Sequence, residues 1–536
     1  MALVPLLFLA VFFVWPVLTM IGRGLIVDGA LDLSGFGEVF ASARIRRVIW
    51  LTVAQAVVAT GVSTALGLPL AFVAYRLRFP GRAVLRALAV MPFVMPTVVV
   101  GIAFRTLLAP GGALGGLGLD GTWTAIIAAL VFFNISVVVR TVGVAWEGLD
   151  PRAGEVAASL GASPWQVLRT VTLPALAPAI VSAASVVFLF CATAFGVVLT
   201  MGGLRYGTIE TEIYLQTVQF LDLRAAAVLS ILQMVVVVSM LWVVSRTRGQ
   251  DTGQRRGHRS GAAARPGAGH AAALVVTAAV VAFICAPILS LVTRSLRNQG
   301  GWTLEHYRNL SGSGEHNALL VTVWEAAANS LRIALVATIL ATALGLLVAI
   351  TVGRPDRTTR ARRLRSAFDA AFMLPLGVSA VTVGFGFLIT LNRPPLDLRT
   401  SPWLVPIAQA TVALPLVVRT LVPVLRSIDD RLRQSAAVLG AGRVRTFLTV
   451  DVPVLWRPLL AAAGFAMAVS LGEFGATSFL ARDDNPTLPV VIYRLIGRPG
   501  TENAGMAMAG GVVLATMTVV LMGLVERLRV RGVGGF

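Results

Sequence analysis

The chain has 536 residues, is 57% hydrophobic and only 13% charged, and its apolar residues fall in long uninterrupted blocks, which excludes an ordinary soluble domain. A net charge of +20 would suggest a nucleic-acid partner in a soluble protein, but here the basic residues sit mainly in short loops between apolar blocks, where they act as topology signals, and no nucleic acid is implied. All 45 basic residues are Arg, and the two cysteines, Cys191 and Cys285, lie inside apolar blocks away from any Cys/His cluster, so neither a disulfide framework nor a metal site is indicated.

A bilayer core about 30 Å thick is crossed by roughly 20 apolar helical residues. Blocks of that length predict spans near residues 2–21, 48–75, 84–108, 123–146, 175–201 and 223–245, then 271–293, 329–352, 368–391, 403–426, 458–480 and 505–525. The first block lacks a basic start and a small-residue cleavage site and contains Trp15-Pro16, so it reads as a retained span rather than a signal peptide. The fold class expected is an all-α polytopic membrane protein with about twelve transmembrane helices in two parallel six-helix repeats. With a cytoplasmic N-terminus, the inside loops carry Arg76, Arg78, Arg82 and Arg86, the Arg residues of 246–265 and 354–365, and Arg527, Arg529 and Arg531. Both termini are therefore expected inside.

Residues 250–270 are a Gly, Arg and Ala mixture without apolar periodicity, which reads as a flexible cytoplasmic linker. The chain divides accordingly into a first half, 1–245, a linker, 246–270, and a second half, 271–536. Asn134 to Tyr214 aligns with Ala413 to Tyr493 at a constant offset of 279 without a gap. Asp150 meets Asp429, Leu160-Gly161-Ala162 meets Leu439-Gly440-Ala441, Pro174 meets Pro453 and Phe195-Gly196 meets Phe474-Gly475. Each half has an even number of spans, so the repeats are related by an axis along the membrane normal, and the natural pathway lies on that axis.

After the fourth span of each half comes a cytoplasmic loop, 150–174 and 429–453. In the first, Asp150 suits an N-cap, Pro151 the first helical position, Gly161 a helix break, Ser163-Pro164 a restart and Pro174 a stop before the fifth span. Two similar platforms imply a two-fold partner; the plainer alternative is that Gly161 and Gly440 only end surface helices.

These loops resemble the docking signature of the permeases of ATP-binding-cassette importers, which reads Glu-Ala-Ala, three residues, Gly, nine residues, Ile, one residue, Leu-Pro. The matching positions are Glu155, Ala157, Gly161, Val171, Leu173 and Pro174, with Val156 for the first Ala and Val171 for the Ile. In the second copy Ala436, Gly440, Val450 and Pro453 match, while Gln434 replaces the Glu and Val452 the Leu. The resemblance implies a type I importer permease whose loops enter grooves of two copies of a separate ATPase, with an extracytoplasmic solute-binding protein as a further partner and a bacterial plasma membrane as its place. It implies no catalysis and no cofactor on this chain, ATP and magnesium belonging to the ATPase; without Lys, no phosphate-cradling Gly-Lys-Ser/Thr loop can form here.

Glu473 is expected within the eleventh span, where an ionisable group either lines a cavity or pairs with an Arg or a helix end. Outside the fifth and eleventh spans, 207–214 and 486–493 read as returning loops above the pore, with Glu210, Glu212, Asp483 and Asp484 as further pathway candidates; a solvated loop or a docking surface for the binding protein is an equal alternative. The two-half arrangement, with FGVVLTMGG, TIETEIYLQ and LRAAAVLSILQM in the first half and SLGEFGATSFLARDDNPTLPVVIYRLIG in the second, resembles the iron(III) and thiamine importer permeases, with the details nearer the thiamine branch. The substrate implied is thiamine or its phosphates, with iron(III) as the alternative. A proton-coupled secondary transporter shares the span count, but it needs intramembrane titratable groups and has no use for the two loops.

Overall fold

The computed structural model describes residues 2–203, 205–248, 267–298, 300–353 and 359–528. Of the expected linker, 249–266 lie outside the described residues.

The first repeat opens with α1 (Leu3–Leu25) and α2 (Ala43–Arg76), followed by the bent pair α3 (Arg82–Val94) and α4 (Thr97–Leu108). Then come α5 (Trp123–Glu147), the short α6 (Arg152–Ser159), the long α7 (Pro164–Ala192), α8 (Gly196–Gly202), α9 (Ile209–Val218) and α10 (Leu223–Arg248). The second repeat runs α11 (Ala271–Ser295), α12 (Val323–Val352), the bent pair α13 (Thr359–Met373) and α14 (Ala380–Thr390), and α15 (Leu404–Ser427). It continues with α16 (Asp430–Val438), α17 (Val444–Gly472), α18 (Thr477–Leu480), α19 (Leu488–Gly497) and α20 (Thr501–Leu528).

Among the described residues ten helices are long and apolar enough to cross a bilayer, and the number is twelve if each of the two bent pairs is one span. Arg82 and Arg86, at the start of α3, bond Glu147 at the end of α5 at 3.3 and 3.0 Å, while at the far end of α4 the Arg105 guanidinium donates to the Thr200 carbonyl in α8 at 3.5 Å. In the second repeat Asp369 of α13 likewise meets Arg426 near the end of α15, at 3.5 Å.

The third and ninth spans are nevertheless not the single helices expected at 84–108 and 368–391. They bend by 104° and 94°. Pro96 forces Met95 out of the helical region, to ψ 135°, and Val378 is extended at ψ 133°. A second correction concerns the fifth and eleventh spans. Pro174 and Pro453 do not stop a helix before the membrane: α7 and α17 run straight from the loop into the bilayer through one wide five-residue turn each, 168–172 and 447–451. A wide turn shifts the hydrogen bonds by one residue and makes room for the proline ring that follows. The same two spans end sooner than expected, at Ala192 and Gly472 rather than near 201 and 480.

Within each repeat the tightest packing joins the second and fourth spans. A Cβ on Gly67 of α2 would lie 2.7 Å from Val138 of α5, and one on Gly345 of α12 would lie 2.6 Å from Val417 of α15, so both sites need a residue without a side chain. The first span of each repeat lies against the other: α1 packs on α14, and α11 on α2 and α4. One hydrophobic core accordingly runs through both repeats. Gly67→Val is expected to wedge α2 from α5 and cost roughly 1–3 kcal/mol, whereas Gly61→Val, on the same helix with nothing within 4 Å of its Cβ, should be neutral; thermal unfolding of the two solubilised variants checks the pair.

Candidate functional site

The two loops at one face are built alike, residue by residue. The Asp150 carboxylate accepts from the Arg152 N–H at 3.0 Å and Asp429 from Arg431 at 2.9 Å, so each carboxylate caps its short helix at the positive end. Each helix stops the same way. The Ala162 N–H donates to the Ala157 carbonyl and the Gly161 N–H to Ala158, at 3.1 and 3.0 Å; Ala441 donates to Ala436 and Gly440 to Ala437, both at 3.0 Å. This double closure needs a left-handed residue, and Gly161 and Gly440 supply φ of 86° and 81°. Ser163 and Gln166 then form a reciprocal capping box at the start of α7.

The outer face of each loop is apolar and open. Leu160 is 83% exposed, and Val438 and Leu439 are each 87% exposed; Trp165 and Val444 stand out beside them. Glu155 and Gln434 are exposed on the same helices, Ala157 and Ala436 half-buried on the inner side, and Pro174 and Pro453 exposed at the entry to the spans. So many large apolar side chains on two matching knobs fit a protein partner better than water. The loops differ underneath. Arg433 is tied to Asp451 at 2.9 Å and to Asp430 at 2.7 Å, whereas the first loop has Gly154 and Thr172 at the corresponding positions.

Toward the opposite face, the helices stop at Ala192 and Gly472 and the chain turns across the middle of the protein. Phe195 and Phe474, equivalent by the repeat, stack with ring centroids 5.4 Å apart and planes 23° apart. Two equivalent residues in mutual contact must straddle the pseudo-two-fold axis. Tyr214 of α9 packs edge-on against Phe195 at 5.5 Å, and Tyr493 of α19 meets Phe474 at a tilt, 5.3 Å away. The segments expected as returning loops, 207–214 and 486–493, are mostly the buried helices α9 and α19. Their first amides are held alike: Ile209 N–H donates to Thr52 Oγ1 at 3.0 Å and Leu488 N–H to Ser330 Oγ at 2.7 Å.

The acidic candidates separate into different roles. Glu473 is not within a span; it stands just past the end of α17, with its carboxylate accepting from the Ala476 and Thr477 N–H groups at 2.8 and 3.0 Å and from the Thr477 hydroxyl at 2.5 Å. That is the helix-end partner, not a cavity-facing charge. Glu212 is buried and paired with Arg44 at 3.0 Å, with Gln216 donating to its other oxygen at 2.8 Å. Asp483 and Asp484 are exposed surface carboxylates bonded to Arg494 and Arg482 at 2.7 and 2.8 Å. Glu210 is fully buried between the repeats. Its Oε2 accepts from Ser379 Oγ, the cap of α14, at 2.9 Å, while Oε1 has no partner among the described residues. Neither Arg44 nor Ser379 carries a sequence signal pointing to these contacts; the Phe-Gly repeat did mark Phe195 and Phe474.

Comparison with known proteins gives these two sites a context. A family model described as the binding-protein-dependent transport system inner membrane component matches twice, at residues 63–249 and 341–531. The thiamine transport system permease protein ThiP of Brucella abortus (strain 2308) is 27% identical over 529 residues, covering 94% of this chain and 92% of the relative. ThiP of Escherichia coli (strain K12) is 27% identical over 86% of this chain and 84% of its own length. The sulfate transport system permease protein CysT of Escherichia coli (strain K12) is 34% identical over 31% of this chain and 63% of the relative. Among solved structures, a bacterial ABC transporter involved in import of the acidic polysaccharide alginate matches with TM-score 0.41 and 18% identity, covering 46% of this chain and 93% of that one. With the family's domain present twice and together spanning most of its length, the chain belongs to the inner-membrane components of binding-protein-dependent transport systems, the permeases of ATP-binding-cassette importers.

Proposed function

We propose that this permease imports thiamine or its phosphates, receiving the solute from an extracytoplasmic binding protein and drawing on two copies of a separate ATPase that hold ATP and magnesium. The observation that carries the reading is the similarity to thiamine permeases along nearly the whole chain; it favours thiamine over iron(III), and membership of the family removes the proton-coupled alternative. Residues 1–245 and 271–536 act as the two halves, each with one docking loop. On this reading 150–163 and 429–442 face the cytoplasm with both termini, and the exposed Leu160, Val438 and Leu439 seat against the two ATPase copies.

The docking role has a physical basis in the loops themselves. Each is a short capped helix closed by a glycine and joined to a continuous helix that enters the membrane. A push on α6 or α16 is therefore delivered to α7 or α17 as a rigid element, and both helices end beside the aromatic pair on the axis.

Proteoliposomes holding the chain, its ATPase and its binding protein should take up labelled thiamine only with ATP inside and binding protein outside. Uptake of iron(III) but not thiamine would overturn the substrate assignment. Gly161→Leu and Gly440→Leu each force a side chain to φ above 80°, at about 1–2 kcal/mol within the loop, and are expected to lower ATPase co-purification and uptake together at matched membrane abundance. Glu155→Gln should have a modest effect, since Gln434 already fills the equivalent site. Orientation is checked by labelling: with Cys191 and Cys285 replaced, Gly161→Cys should react only from the cytoplasm and Gly116→Cys, at an open site in the loop after α4, only from outside.

A further inference from the structure

The aromatic pair and the buried carboxyl of Glu210 form one site. Glu210 and Tyr214 stand one turn apart on the same face of α9, and Tyr214 touches Phe195. From the other repeat, a Cβ on Gly475 would lie 3.0 Å from Ala380, which places the Phe474-Gly475 turn against the start of α14, next to the Ser379 that bonds Glu210. Thr208, two residues before Glu210, donates to the carbonyl of Ala194, the neighbour of Phe195, at 3.4 Å.

Among the acidic groups here Glu210 is the one with spare capacity. Glu473 and Glu212 have both oxygens engaged. Glu210 is 0% exposed; beside its carboxyl the Gln233 amide gives one of its two hydrogens to the Ala192 carbonyl at 3.1 Å, and Oε1 makes no hydrogen bond among the described residues. A buried carboxyl oxygen without a donor is unfavourable, and an arriving cation relieves it. The repeat equivalent of Glu210 is Pro489, so the site offers one carboxyl, suited to a ligand with one positive charge.

We infer that Phe195, Phe474, Tyr214 and Tyr493 are the closed constriction on the transport axis, and that on opening they hold a permeating aromatic cation between ring faces with its charge against Glu210. Rings that stack on one another in the closed state exchange that contact for a flat ligand ring, so passage sacrifices little packing. The inference rests on the thiamine reading, because thiamine carries a fixed positive charge on its aromatic thiazolium ring.

The test uses the complete importer in proteoliposomes and compares thiamine with its neutral isostere, in which thiophene replaces the thiazolium. Glu210→Gln is expected to lower the ratio of thiamine to isostere uptake about tenfold, the loss of one close charge–charge contact worth about 1.4 kcal/mol. The ratio is internal to each preparation, so lower abundance of a variant cancels. Phe195→Leu and Phe474→Leu should reduce uptake of both solutes, whereas Phe133→Leu, which removes an aromatic contact with Phe93 away from the axis, should reduce neither. If the Gln variant does not assemble, Glu210→Asp, with its charge drawn back by one methylene, should shift the same ratio by about threefold. An unchanged ratio in the assembled Glu210 variant, with thiamine uptake intact in the unaltered protein, overturns this assignment alone. No thiamine uptake by the unaltered protein overturns the substrate reading and this site with it.

Discussion

Inside hydrocarbon no water is available to a free amide or carbonyl, so every departure from the helix must be supplied with partners by the protein itself. Among the described residues the helix is broken inside the bundle in two repeat-related pairs of places: at Met95-Pro96 and Val378-Ser379, and after Ala192 and Gly472. Particular side chains supply partners at two of these breaks and at the starts of the two short helices that follow. Ser379 accepts from the Thr382 N–H, Glu473 from those of Ala476 and Thr477, and Thr52 and Ser330 from the first amides of α9 and α19. The breaks in turn bring Phe195, Phe474 and the ends of two half-helices together on the axis.

Span count, repeat and loops were legible in the sequence because each has a local cause. Length and hydropathy identify a span, a constant offset of Gly, Pro and Asp identifies a repeat, and an Asp cap with a Gly eight to eleven residues on identifies a short closed helix; here Gly161 follows Asp150 and Gly440 follows Asp429 by eleven. The bends at Pro96 and Val378 were not legible, since prolines also lie within unbroken stretches of this chain, such as Pro69 in α2 and Pro415 in α15. Whether a proline breaks a helix depends on whether its neighbours can supply the freed groups.

Pro174 illustrates the same limit from the other side. Local rules make it a stop; the wide turn before it, invisible to propensity, turns it into an interior residue. The acidic residues were harder still. Glu210 and Glu212 are two apart on one helix, yet one meets Ser379 from the other repeat and the other Arg44 from the start of α2. Their partners lie about 170 residues away in sequence, at separations of 169 and 168, and no pattern in either segment points to the other.

The fusion of the two repeats has a consequence for how the site can evolve. In a permease assembled from two identical subunits, any residue near the axis appears twice, so a carboxyl placed there would face its own copy and the two would repel each other. A single polypeptide escapes that symmetry: Glu210 and Pro489 occupy equivalent positions and differ freely, as do Glu155 and Gln434 on the loops. Joining the halves thus converts a pore whose two sides are alike, able to discriminate by size and polarity, into a lopsided one that can tell one side of a solute from the other.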